Sequence, residues 1–221
     1  MYIRRGADVF INDYKKENFS NLSLRPPLFY NWEIAIRFEL GVEWNREYDD
    51  KNSRYLKGVY NRALTLFESV HKPDEEIFVV MDVNVFGNRK SYKNNRRLFS
   101  PYVYEKTTLY RLNHAVIPYI FPEDNEDEKY KTHRFTLKSK TSDIKYIPLL
   151  KAMCNQDLGI QPNIYHRIYF FNIKRKTIFH IYDDRGCDLL AASPKTIRDI
   201  YNNFNDWILD YDRDEIDKVF Q

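Results

Sequence analysis

Between Tyr165 and Ala191 three strand-length runs follow one another with only tight turns between them. Tyr165–Ile173 is rich in Tyr, Ile and Phe, and Lys174-Arg175-Lys176 forms a polar turn. Thr177–Tyr182 returns, Asp183-Asp184-Arg185-Gly186 turns again, and Cys187–Ala191 is a short third run. Connections this short join antiparallel neighbours only, because parallel strands need a crossover of a dozen residues or more. The stretch therefore predicts a β-meander. Ser193 then reads as a helix N-cap with Pro194 at the first helical position. Ile197, Ile200, Tyr201 and Phe204 mark the buried stripe of that helix. Residues 160–221 form a ββ(β)α unit on this reading, with the tail from Trp207 to Phe220 as a short extended piece and a helix.

Upstream, residues 33–40 place Ile34, Ile36, Phe38 and Leu40 on one face and Ala35, Arg37 and Glu39 on the other, the pattern of a half-buried strand ending at Gly41. Apolar residues spaced by three and four over 54–71 predict an amphipathic helix, with Ser53 as its cap and Pro73 beyond its end. Residues 77–83 are nearly all apolar and read as a central strand. A strand over Tyr130–Lys138 and a helix over 147–158, opened near Pro148 and closed by Gly159, complete the frame; 102–121 holds strand-like pieces between Pro101 and Pro118. The fold class expected is α+β: one domain spanning 1–221, a mixed or mostly antiparallel sheet, and helices packed on one side. Whether the helix at 54–71 belongs to a βαβ crossover is left open by the pattern.

Composition narrows the chemistry. Two cysteines, Cys154 and Cys187, exclude a disulfide framework or a four-thiolate zinc site, and both sit among apolar residues as inert core thiols do. The N-terminus has no apolar secretory core, and no run of 18 apolar residues occurs, so a cytoplasmic protein with no membrane span is expected. Phosphate-loop, dinucleotide and nucleophile-elbow motifs are all missing. No cofactor and no metal is expected. His180 and Asp184 share a strand face, but none of the five histidines has a ligand-like spacing to another.

The candidate site is the turn Asp183, Asp184, Arg185 and Gly186. Two carboxylates beside an arginine suit a basic partner, a phosphate or a cation; equally, Asp favours turns and Gly supplies positive φ for a bulged hairpin. Strand alternation sends Asp183 and Asp184 to opposite faces. One of them is expected to pair with Arg185 and the other to face solvent or a ligand. Arg37 and Glu39 share a face and join this turn if their strands are neighbours. Trp207 and Tyr211 stand among Asp206, Asp210, Asp212 and Asp214, a surface suited to a basic protein. Arg89, Lys90, Lys93, Arg96 and Arg97 give a basic 89–97 loop with an interleaved tyrosine, a footprint for nucleic acid. The acid-rich 123–128 loop opposes a uniformly basic face.

The run Ile181-Tyr-Asp-Asp-Arg-Gly-Cys-Asp-Leu-Leu, followed by Tyr201-Asn-Asn-Phe-Asn-Asp-Trp-Ile-Leu-Asp-Tyr-Asp-Arg, resembles the bacterial family called domain of unknown function 3885. Ile36-Arg-Phe-Glu-Leu-Gly also resembles its full-length members. The resemblance implies a soluble bacterial protein and singles out Asp183–Gly186 without assigning chemistry; an association of the family with prophage DNA binding is a further implication. The function expected is a non-enzymatic protein-interaction module of immunity, antitoxin or regulatory type. Nucleic-acid binding through the 89–97 loop is one alternative. A hydrolase or transferase built on Asp183–Arg185 is another.

Overall fold

The computed structural model describes residues 6–42, 53–87, 96–127 and 129–221. In chain order the elements are α1 (Gly6–Asn18), β1 (Ala35–Glu39), α2 (Arg54–Val70), β2 (Glu76–Phe86), α3 (Arg96–Phe99), β3 (Leu112–Pro118), β4 (Tyr130–Lys140), α4 (Tyr146–Cys154), β5 (Arg167–Asn172), β6 (Thr177–Ile181), β7 (Gly186–Ala191), α5 (Pro194–Asn203) and α6 (Arg213–Phe220). The strands form one sheet in the order β1-β7-β6-β5-β2-β4-β3, and every pairing in it is antiparallel. The meander β5-β6-β7 stands as the turns require. β1 and β2 lie four strands apart, so α2 does not form a βαβ crossover between adjacent strands.

One sheet face is apolar and lies under α2 and α4. Phe67 of α2 meets Phe170 and Phe179 edge-on at 5.0 and 5.7 Å. Ser53 caps α2 through its Oγ, which accepts from the Leu56 amide at 3.2 Å. The start of α5 differs from expectation: Ser193 makes no side-chain capping bond, and Pro194 with its preset φ opens the helix.

The opposite face is crossed by α1 and a strap of residues 19–31, which bury Phe19, Leu22, Leu24 and Leu28. Tyr14 of α1 packs on Phe78 and Phe171, and its hydroxyl donates to the Asn172 carbonyl at 2.9 Å. This cover explains why β1 is buried on both faces rather than half-buried. It also encloses polar side chains. Arg37, Asp188 and His180 sit in register on β1, β7 and β6. Asp82 of β2 faces Arg134 of β4 and accepts two bonds from its guanidinium, at 2.7 and 2.6 Å.

Candidate functional site

The turn joining β6 to β7 sits beside the far end of β1, because Glu39 is opposite Gly186 in the sheet. Two further bonds fasten the turn there. The Leu40 amide donates to the Arg185 carbonyl at 2.8 Å, and the Tyr182 amide donates to the Gly186 carbonyl at 3.2 Å.

Gly186 holds no positive φ, contrary to the turn chemistry expected of it; the glycines that do are Gly87 and Gly159. Its reason is close approach. A Cβ there would stand 2.6 Å from the Phe38 carbonyl oxygen and would collide with the Tyr182 hydroxyl. Gly41 repeats the device: a Cβ would strike the Tyr55 hydroxyl and reach 3.0 Å from the Asp184 carbonyl.

The two aspartates diverge as alternation requires, but neither is free. Asp183 accepts from the Arg185 amide and Nε, both at 2.8 Å, and from an Nη of the same guanidinium. The Arg185 side chain is 74% exposed while the Asp183 side chain is buried. Asp184, expected to face solvent or a ligand, is instead buried and accepts from the Tyr55 hydroxyl. The apolar cover of α2 encloses it, since Tyr55 stands in the first turn of that helix.

Burial, above all, holds the Asp184 carboxyl above the ordinary aspartate value of 3.8, against the opposing pull of the Tyr55 hydrogen bond. An acid raised in the fold favours its protonated form there. Its contribution to stability is therefore present at low pH and declines as pH rises from the unfolded value through the higher folded one. Asp184→Asn keeps an acceptor for Tyr55 without the charge, so the substitution should remove that decline. Urea midpoints taken across pH 3 to 7 check it. The variant at pH 7 should match or exceed the wild type, and a loss above about 1 kcal/mol, the worth of a typical hydrogen bond, would show that the ionised form is the one the fold needs.

Arg37 and Glu39 do reach this end of the sheet. The Arg37 partners are not those of the turn, however. Its Nε donates to Asp188 Oδ1 at 2.9 Å, one Nη to Asp188 Oδ2 at 3.4 Å and the other to Asp212 Oδ2 at 3.4 Å. The Phe29 amide also donates to Asp188, at 3.2 Å, and the Tyr30 hydroxyl to Asp212, at 2.8 Å. Rings of Phe29, Tyr30 and Tyr182 wall the guanidinium at 5.3, 4.9 and 5.4 Å. Burial opposes the Arg37 charge, but the Asp188 bond and charge outweigh it and hold the pKa above the usual arginine value. Asp212, read from sequence as a rim acid, is thus a buried counterion. Trp207 is likewise engaged: it packs on Phe204 at 4.9 Å and receives the Arg62 guanidinium at 4.9 Å. Tyr211 stays 86% exposed.

These residues enclose a cleft of about 620 Å³ lined by Pro26, Pro27, Arg37, Glu39, Gly41, Tyr182, Asp183, Arg185 and Leu209. Asp184 lies behind its wall. The Glu39 carboxylate accepts no hydrogen bond from the described residues; Arg62 bonds the Glu39 carbonyl oxygen instead, at 2.8 Å.

Sequence reasoning did not find Asp188, Tyr30 or Tyr55, and it placed Asp212 on the surface rather than as a buried counterion. A lone acid inside an apolar strand was an available signal for Asp188, and equally for Asp82, because a buried charge requires a counterion. His180 directs Nδ1 at the Ile168 carbonyl, 2.8 Å away, and is buried in the sheet. Cys154 and Cys187 are free and buried, and burial pushes both thiols up. Of the basic 89–97 loop, Arg89, Lys90 and Lys93 lie outside the described residues; Arg96 and Arg97 open α3, and Arg97 is exposed. Gly87 donates its amide to the Lys129 carbonyl at 2.7 Å, so β2 ends beside the acid-rich turn.

A family model described as "Domain of unknown function (DUF3885)" matches residues 11–212. The chain is 32% identical over 208 residues to the uncharacterized protein YnaE of Bacillus subtilis (strain 168), an alignment covering 90% of this chain and 96% of that protein. No solved structure matches.

Proposed function

The chain belongs to the DUF3885 family, and from that premise, which carries no chemistry of its own, we propose that it is a bacterial binding protein whose cleft receives a cationic side chain of a protein partner. The observation that supports this is Glu39. Asp183, Asp184, Asp188 and Asp212 already accept hydrogen bonds from Arg185, Tyr55, Arg37 and Tyr30. Glu39 alone brings a carboxylate without a hydrogen-bonding partner among the described residues into a cleft floored by Pro26, Pro27 and Leu209. Arg62 stands close enough to feel the Glu39 charge but bonds its carbonyl oxygen, so the carboxylate keeps its hydrogen-bonding capacity for a further cation. Both arginines of the cleft have carboxylate counterions, which argues against an anion there. General acid–base catalysis needs groups free to exchange protons in the transition state. Tyr182 is removed from that role, since burial raises its phenol far above neutrality.

A role in which the protein holds or restrains a basic partner in the cytoplasm, as immunity proteins and antitoxins do, fits this chemistry. The cleft volume also falls in the range of small-ligand sites, and that supports a transferase or hydrolase as the second reading.

Titration of the labelled protein with acetyl-Gly-Arg-Gly-amide, followed through amide resonances, separates the readings. The expected result is saturable shifts at Gly41, Tyr182 and Arg185, weakened by salt and lost in Glu39→Gln. Inorganic phosphate moving those amides in place of the peptide would overturn the proposal in favour of an anion site. Unchanged peptide binding in Glu39→Gln would remove its central residue.

A further inference from the structure

A second surface, which shares no lining residue with the Arg37 cleft, carries its own reading. Four aromatic rings run in a row from the end of β2 to the segment before the acid-rich turn. Phe86 meets Tyr130 at 5.0 Å, Tyr130 meets Tyr119 at 5.1 Å, and Tyr119 meets Phe121 at 5.7 Å. The Phe121 end is occupied. The guanidinium groups of Arg25 and Arg167 stand 5.0 and 5.6 Å from its centroid, and Arg25 also pairs with Glu123.

The other end is open. Phe86 is 52% exposed, Tyr130 is exposed beside it, and no cation of the described residues stacks on either ring. The two rings line a concavity of about 480 Å³ with Asp124, Glu126 and Asp127. Lys129 is the cation of that lining, and Asp127 already holds it. The concavity is also held in shape: the Tyr130 amide donates to Asn125 Oδ1 at 2.7 Å, and Asn125 Nδ2 donates to the Tyr130 carbonyl at 3.0 Å.

We propose that the Phe86–Tyr130 end of this ring row is a docking surface for an arginine side chain in a basic, extended segment of a protein partner. Ring faces attract cations, and carboxylates around the rim add charge complementarity. A planar guanidinium can lie on a ring and still donate in its own plane to the acids, whereas a compact ammonium cannot do both as well. The row shows the same chemistry satisfied internally at its Phe121 end. The proposal rests on these rings and not on Glu39; it shares with the cleft only the sign of the partner's charge.

The same tripeptide titration tests it through the ring resonances of Phe86 and Tyr130. The expected result is saturable shifts of both rings, with the lysine tripeptide binding more weakly. Phe86→Leu, which keeps apolar bulk but removes the ring, should weaken binding by about threefold, in line with an exposed cation–ring contact. Phe86→Tyr should retain it. Asp124→Asn with Glu126→Gln should weaken it further and flatten its salt dependence. Glu39→Gln should leave the ring shifts intact while abolishing those at Gly41 and Arg185, so failure of one surface is distinguishable from failure of the other. No saturable ring shift, equal binding by a glutamine tripeptide, or unaltered binding in folded Phe86→Leu would each overturn the proposal. So would an oligonucleotide that shifts the same rings when the peptide does not.

Discussion

Arg37→Ala should destabilise the protein by about 3–5 kcal/mol, the cost of breaking a buried ion pair from one side. The side chain it removes is 9% exposed and neutralises Asp188, which is fully buried, and Asp212, which is nearly so. Neither acid has another cation among the described residues that bonds it. The loss should be recovered only in part by Arg37→Leu combined with Asp188→Leu, because that pair of changes removes the fully buried acid but leaves Asp212 without its cation. Urea unfolding of the wild type, the single variant and the double variant measures this directly. A single variant within about 1 kcal/mol of wild type would mean that water or another group reaches Asp188 and that the network is not closed.

Gly186→Ala is expected to cost about 2–3 kcal/mol, the upper part of the range for overpacking a well-packed site. The added methyl meets a backbone oxygen of β1, which cannot swing aside, and the Tyr182 hydroxyl, which can. Tyr182→Phe removes the hydroxyl but leaves the ring carbon that bore it 2.7 Å from the added methyl, so it should relieve part of the cost and not all of it. Complete relief would place the constraint at the hydroxyl, and an unchanged melting point in Gly186→Ala alone would show that β1 and the turn are not so closely packed. For a chain of this size, each kcal/mol should move the melting temperature by roughly 2–4 °C.

The strands were legible because their signals, an alternation or a short apolar run, are short-range. Thr177–Tyr182 and the run 77–83 declare themselves within a window of seven residues. The first helix was not legible: Asn12, Asp13, Lys15, Lys16 and Glu17 leave too thin an apolar stripe between them. The strap that follows buries Phe19, Leu22, Leu24 and Leu28 without any regular period, so no pattern announced that the sheet would be covered on its second face. That omission propagated. With the second face covered, Arg37 cannot be a half-exposed strand residue, and its partners must be acids brought from elsewhere.

The site was legible in the same uneven way. Asp183 with Arg185 is a local arrangement two residues wide, and the turn chemistry pointed to it. Tyr55 with Asp184 spans 129 residues, and only the packing of the first turn of α2 against the meander brings it about. Gly186 was expected to supply a positive φ and does not; a tight approach between strands leaves the same residue in a sequence as a left-handed turn does.

The Arg37 bonds reach across 151 residues to Asp188 and 175 to Asp212. During synthesis a ribosome therefore releases β1 long before anything exists for it to pair with. The outermost strand on that side waits for the meander, and its arginine waits for Asp212, which comes later still. A truncated or stalled product would carry Glu39 and Pro26–Pro27 but no wall opposite them. Assembly of the cleft is in this way tied to synthesis of the chain through Asp212, and no earlier segment can close it.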